Sequence, residues 1–312
     1  MPVQAYDGFD KLARAKIPRT VLEAEILTDS PLGYWPLDET SGSVMVDRSG
    51  NGYDGVYVDG TTDLSVEVST TGQAKLRGIE FDGEHRGVVE DFAVGITDRP
   101  AAVEFVTRVD ADNPPAALTV SAVSFGTGAT AEGFDSTFAW DASTWTVSGQ
   151  LYDGDSNNSV SNQSDDTAHR TPPWHVAYRR ASSGDAVIYL DGVDTTTNTG
   201  TLPGPDAGQP GASIGARKAQ DLGTGFHGFL AAVAVYDHDV SAARMLAHAN
   251  AAIAPLDNQT TDQRIGYVLD EIDWPTNLRN LESGDTTLGP ATFKPGDSAL
   301  EYLRLIEATE DG

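Results

Sequence analysis

WHVAYRR (174–180), AVIYLDG (186–192) and LAAVAVYD (230–237) decide the fold class. Each run is short, rich in Val, Ile and Tyr, and bounded by Gly, Asp or Ser, which is how strands between turns read. The same pattern recurs upstream in GVYV (55–58), LSVEV (64–68), GIEF (78–81), AVEFVTRV (102–109), LTVSAVSFG (118–126), STFAWD (136–141) and TWTVSGQLYD (144–153). In TWTVSGQLY, Trp145, Val147, Gly149 and Leu151 fall on one face and Thr144, Thr146, Ser148 and Gln150 on the other. No helix-length apolar period interrupts these runs between Gly33 and Tyr236, which argues against a parallel α/β sheet. The expectation is a mainly β chain: an antiparallel sandwich with a small C-terminal helical segment.

The chain has 312 residues, enough for one large sandwich and an attachment. It has no cysteine, so neither disulfides nor thiolate chemistry contribute. Its net charge is −27, from 47 acids against 20 bases; 33 of the acids are Asp and only five of the bases are Lys. The acids are scattered rather than gathered in a tail, which predicts a protein adapted to molar salt. There the Debye length is roughly 3 Å and self-repulsion is screened. Nucleic acid and anionic membrane surfaces are poor partners, because no basic stripe meets phosphate. No stretch approaches the ~18 apolar residues of a transmembrane helix. Residues 1–20 lack an apolar core of roughly 7–15 residues, so no signal peptide is expected there.

Helices are expected at the ends. Thr20 and Glu23 form a capping box that predicts a helix over about 20–28, and residues 1–25 read as an arm plus this helix. SAARMLAHANAA (241–252) is an Ala-rich helix with Ser241 as N-cap, ended by Pro255. The sandwich is assigned to 26–254. In 255–312, Ile265, Val268, Leu269 and Ile272 mark one helix face. A capping box at Ser298–Glu301 opens a second helix with Leu300, Leu303 and Ile306 inward. This segment carries too little apolar surface to fold alone and is read as a docking module for the sandwich or for another subunit.

YWPLDETSG (34–42), DRSGNGYDG (47–55), FDGEHRGVVE (81–90), WHVAYRR…AVIYLDGV and GFHGFLAAVAVYDHDVS (225–241) resemble, in this order, the laminin-G-like (concanavalin A-like) jelly rolls of bacterial surface and virus tail proteins. The resemblance covers residues 26–252 and implies a fold used to hold glycans, proteins or neighbouring subunits. That family often carries an acidic pair where this chain has Ala231 and Ala232, so a family-type metal site is not expected. The C-terminal segment QRIGYVLDEIDWPTNLRNLESGDTTL…SALEYLRLIEATEDG (263–312) resembles a module of long-tailed virus tail proteins, which with the dispersed acids implies a virus of a haloarchaeal host.

Candidate chemistry is sparse. Glu80/Asp82 and Asp82/Glu84 have the i, i+2 spacing that would put two glycosidase acids on one strand face, but Phe81-Asp82-Gly83 reads as a turn. The six histidines show neither H-x-x-x-H nor H-E-x-x-H spacing, and His175 reads as structural. No catalytic residue is assigned and no enzyme is expected. Trp140, Trp145 and Tyr152 are candidates for an aromatic glycan platform, whereas Trp35 and Trp174 belong in the core. Asp153, Asp155 and Asn157 cluster oxygen donors of the kind calcium takes, without EF-hand spacing. The expected function is a structural component of a tailed virion, exposed and lectin-like. Its partners would be other virion proteins, copies of itself in a ring or trimer, and host-surface glycan. A halophile's cell-surface lectin and a polysaccharide-cleaving glycosidase are the alternatives.

Overall fold

The structure, a computed structural model, describes residues 8–58, 65–69, 75–90, 92, 101–109, 118–126, 133–140, 144–152, 157–165, 173–180, 186–196, 211–216 and 225–310. Helices α1 (Gly8–Arg14) and α2 (Val21–Thr28) precede the first strands, β1 (Gly33–Trp35), β2 (Val44–Met45) and β3 (Gly55–Val58). Then come β4 (Ser65–Ser69), β5 (Lys75–Asp82), β6 (Arg86–Val89), β7 (Ala102–Val109), β8 (Leu118–Gly126) and β9 (Gly133–Trp140). They are followed by β10 (Thr144–Tyr152), β11 (Asn157–Asp165), β12 (Trp174–Arg180), β13 (Ala186–Leu190), β14 (Val193–Asp194), β15 (Ala212–Ile214) and β16 (His227–Tyr236). The chain closes with α3 (Ala242–Ile253), β17 (Gln259–Thr260), α4 (Thr261–Glu271), β18 (Thr287–Leu288) and α5 (Ala299–Glu310).

The strands form two antiparallel sheets. The first runs β14-β13-β12-β7-β16-β5-β4, with β1 also on β16; the second runs β11-β10-β9-β8-β15-β6-β3-β2. Early and late strands pair in both, β1 with β16 and β6 with β15, so the chain closes on itself as expected of a jelly roll. Between the sheets lie Trp35, Phe105, Phe138, Val147, Trp174, Ile188 and Phe226, all buried. Trp35 and Trp174 are thus in the core, as the motif positions implied.

A third layer covers the outer face of the first sheet. There α2, α3, the C-terminal helices and Ile17 pack on Val106, Ala177, Phe229, Ala231, Ala234 and Tyr236 in one contiguous apolar cluster. This explains why β16 is apolar on both faces: nine of its ten residues are buried. The arm and the C-terminal segment meet directly. Ile17 N donates to Asp297 O, Gly296 N donates to Ile17 O, and Lys16 bridges to Ser298. Segment 255–312 therefore contributes to the same core that holds α2 and α3. Its helix α4 buries Arg264 with Val268 and Leu269, while Ile265 is only half-buried. The guanidinium is accepted because it caps the carbonyls of Leu256 and Gly289.

Local signals held at the helix ends. Thr20 Oγ1 accepts from Glu23 N (3.1 Å) at the start of α2. The Glu23 carboxylate, however, turns to Arg48 (3.0 Å) rather than back to the cap. The 47–55 turn is organised by Asp47, which is 9% exposed. Its carboxylate accepts from Tyr34 N (3.0 Å), Ser49 N (2.9 Å), Ser49 Oγ (2.8 Å) and Tyr53 N (2.9 Å). An amide cannot accept on its nitrogen, so Asp47→Asn sets donors against donors. We expect a loss of about 1–3 kcal/mol, read as a lower denaturant midpoint; an unchanged midpoint would contradict this role for Asp47.

Candidate functional site

With one sheet covered by helices, the outer face of the second is the surface that the fold leaves for recognition. Phe138, Val147 and Ile214 point into the core, so the residues between them along each strand take the opposite face. The registers align these positions across strands. One row reads Ser213–Ser124–Asp135–Gln150–Ser159. The next reads Ser121–Thr137–Ser148–Ser161. Eight of the nine positions are hydroxyl or amide residues and the ninth is Asp135, with no base among them. Strands about 4.8 Å apart and a two-residue repeat of ~6.7 Å make this a lattice of polar positions. On this face Ser213, Asp135, Thr137 and Ser148 are all buried. Among the described residues Ser213 Oγ, fully buried, has no hydrogen-bond partner, and an unmet buried hydroxyl costs about 1–3 kcal/mol.

Trp140 and Trp145 lie directly opposite one another on β9 and β10, on the face of Phe138 and Val147. Tyr152, paired with Asn157, shares the face of Ser148 and Gln150. The side chains of all three lie outside the described residues. Of the calcium candidates, Asp153 and Asp155 lie outside them as well. Asn157 belongs to β11, not to a turn: NNSVSNQSD pairs along its whole length with β10. A nine-residue stretch with one apolar side chain gave no strand signal, because an edge strand needs little burial. Among the described residues, no three His, Asp or Glu side chains are placed to hold a metal ion.

The glycosidase candidates are occupied otherwise. Glu80 accepts from Arg108 (2.8 Å). Asp82 Oδ1 accepts from Glu84 N (2.9 Å) and His85 N (3.2 Å) and meets His85 Nδ1 at 2.6 Å. Partial burial alone would raise Asp82, but these hydrogen bonds and the His85 charge outweigh it and hold it below the usual carboxylate range. A glycosidase's proton donor needs the reverse shift. Ala231 and Ala232, standing where the resemblance puts an acidic pair, are buried at a bulge in β16.

A strongly perturbed buried carboxylate was missed in the sequence. Glu104, fully buried on β7, points to the helical layer. His175 Nε2 lies 2.8 Å from its Oε2, and His248 Nδ1 lies 2.9 and 3.0 Å from its two oxygens. Tyr236 Oη donates to Oε1. His248 Nε2 meets Asp29 Oδ2 at 2.8 Å, so both ring nitrogens face carboxylates. Burial would push Glu104 up, but the His248 charge and the hydrogen bonds from His175 and His248 hold it far below the carboxylate range. Burial would lower His248, and Glu104 more than offsets that, raising it. His248 is thus an imidazolium clamped between two carboxylates. The group joins strands β7, β12 and β16 to helices α2 and α3. No substrate-sized cavity among those described is lined by Glu104, His175, His248 or Tyr236, so its chemistry is that of a structural clasp. The signal was an acid inside a strand apolar on both faces, and a histidine on the buried face of an Ala-rich helix.

No protein-family model and no curated protein matches the chain. Among solved structures it is similar to the receptor-binding domain of botulinum neurotoxin D, with 11% identity and a TM-score of 0.52 over 74% of this chain and 55% of that one. A Trypanosoma rangeli sialidase matches with 14% identity and a TM-score of 0.49 over 77% of this chain. Domain 4 of a Geobacillus stearothermophilus arabinanase, solved with arabinotriose, matches with 14% identity and a TM-score of 0.45 over 70% of this chain and 98% of that domain. The chain spans 36% of the length of that sialidase. At these identities the likeness is one of architecture: the chain is a mainly β, jelly-roll sandwich of the kind that the toxin's receptor-binding domain also adopts.

Proposed function

We propose that this chain is a glycan-recognising sandwich, a binding protein rather than an enzyme, that serves as an exposed structural part of a tailed-virus particle. The observation that carries the binding reading is the outer face of the second sheet with its two in-register polar rows. Along its in-register rows the described side chains of Asp135, Thr137 and Ser148 share one polar face suited to a polyhydroxylated ligand, and among the described residues the buried Ser213 hydroxyl has no partner. Specificity in such a site comes from a few placed polar groups on a rigid element. The resemblance of residues 263–312 to a tail-protein module supports the virion reading. Self-association in a ring or trimer goes with it, since structural proteins of particles act as closed symmetric oligomers.

A glycan array probed with the full chain in molar salt tests the binding reading. We expect a restricted set of hits. Thr146→Arg, at a half-buried position on the same face as Ser148, should abolish them with the melting temperature unchanged within a few degrees. An array with no hit for the unaltered chain would overturn the reading. Detection of the chain in purified particles by mass spectrometry, with light scattering for its oligomeric state, tests the virion reading separately. Absence from particles of its source, with a monomer in solution, would sink it.

A further inference from the structure

A cavity lies on the helix-covered side of the sandwich, where the β4–β5 edge, α2, the end of α3 and residues 292–295 meet. Its volume is about 270 Å³, just below the range of drug-sized ligand sites, roughly 300–1,000 Å³. It has room for one ring rather than a chain.

Its charges are sorted. At one end the Glu67 carboxylate receives three cations: Lys294 at 2.8 Å, Lys75 at 3.6 Å and Arg77 at 3.7 Å. Two of the five lysines of a chain of net charge −27 are therefore spent on one acid, so that among the described residues three cations converge on a single carboxylate. A contact serving only to tie two segments together needs one cation per carboxylate. At the other end the ratio is inverted: Arg48 alone serves Glu23 (3.0 Å) and Asp38 (2.7 Å), which leaves carboxylate lone pairs free to accept from hydroxyls. Between the ends the lining is apolar, from Tyr34, Leu76, Ala232 and Phe293. Ala232 has a φ of 52° at the β16 bulge. A non-glycine residue in the left-handed region costs about 1–3 kcal/mol, and such strain concentrates at ligand sites.

We propose that this cavity binds a small hydroxylated carboxylate, a sugar acid in class. The carboxylate would sit on Lys75, Arg77 and Lys294, and the ring over the apolar floor. Its hydroxyls would donate to Glu23 and Asp38. The proposal does not rest on the glycan reading of the second sheet, whose outer face is on the other side of the molecule. In molar salt the Debye length is roughly 3 Å, so charge alone holds little. The ligand must combine the carboxylate with hydroxyls, and this discriminates it from a simple anion. Because Lys294 and Phe293 come from the C-terminal segment, Glu23 from α2 and the other contacts from the sandwich, the bound ligand would also staple these parts together.

The test is calorimetry and thermal unfolding of the full chain with D-glucuronate, D-glucose and acetate, each in 0.2 M and 2 M KCl. Glucuronate should bind saturably and raise the melting temperature, and glucose and acetate at equal concentration should not. Lys294→Met should weaken glucuronate about tenfold, the size of one charge-assisted hydrogen bond. Glu67→Gln, which removes the competing carboxylate, should tighten it. A merely structural Glu67–Lys294 contact predicts that both variants lose stability and neither changes affinity in opposite senses. No saturable binding, equal shifts with all three probes, or unchanged affinity in Lys294→Met each overturn the proposal, whatever the array on the other face returns.

Discussion

Glu104→Ala should destabilise the chain by about 3–5 kcal/mol, the cost of stripping one partner from a buried ionic group. The variant leaves the His248 imidazolium, fully buried, with Asp29 alone, and leaves the Tyr236 hydroxyl and His175 Nε2 without an acceptor. Glu104→Gln should cost less, because an amide oxygen still accepts, though it no longer neutralises His248. A double-mutant cycle with His248→Ala should return a coupling of about 1–3 kcal/mol. The pH dependence follows from the two shifts. Glu104 titrates far below its unfolded value of 4.5, so its contribution is complete above about 4.5 and is lost as pH falls below it. His248 titrates above its unfolded value of 6.5, so its contribution is complete below 6.5 and is lost as pH rises through the raised value. Stability should therefore peak between about pH 4.5 and 6.5. The alkaline decline should shrink in Glu104→Ala, where only Asp29 still raises His248. Urea titrations at pH 5.5, 7 and 8.5 measure this; a Glu104→Ala midpoint equal to that of the unaltered chain would show that the clasp contributes nothing.

The same residues show what could be read without coordinates. Strand β7, AVEFVTRV, was legible to the residue, because alternation, β-branching and flanking turns agree there. That its outer face would be buried under helices was legible only indirectly, through β16, whose unbroken apolar run signals cover on both faces. The partners of Glu104 were not legible. His248 lies 144 residues away on a helix, and nothing local to either residue specifies the other. Strand β11 failed for the opposite reason: it holds its place by backbone pairing to β10 at a sheet edge, so its side chains carry no pattern. The polar rows of the second sheet were half-visible. Thr146, Ser148 and Gln150 alternate with apolar neighbours in the sequence. Their alignment with Asp135, Ser124 and Ser213 depends on pairing between strands distant in the chain.

The C-terminal segment, read from sequence as a docking module, bears on the stability of the whole sandwich, and Phe293 is where this can be measured. Its ring is 2% exposed and lies 5.9 Å from that of Tyr267 and 5.3 Å, edge-on, from that of Tyr302. It belongs to the same apolar cluster as Val21, Leu22, Phe229 and Met245. Phe293→Ala should thus cost about 3–5 kcal/mol, the transfer free energy of the ring plus the cavity left behind. The form of the transition is as informative as its midpoint. If the segment were an appendage, the loss would fall on a separate, earlier unfolding step, and the sandwich would melt where it did before. With one shared core, circular dichroism of the strands and fluorescence of Trp274, over whose ring Lys11 of α1 sits at 5.2 Å, should shift together by the same amount with an unchanged denaturant slope. Two separated transitions would return the segment to the status of a docking module and leave α2 and α3 as the only helical cover that the first sheet requires.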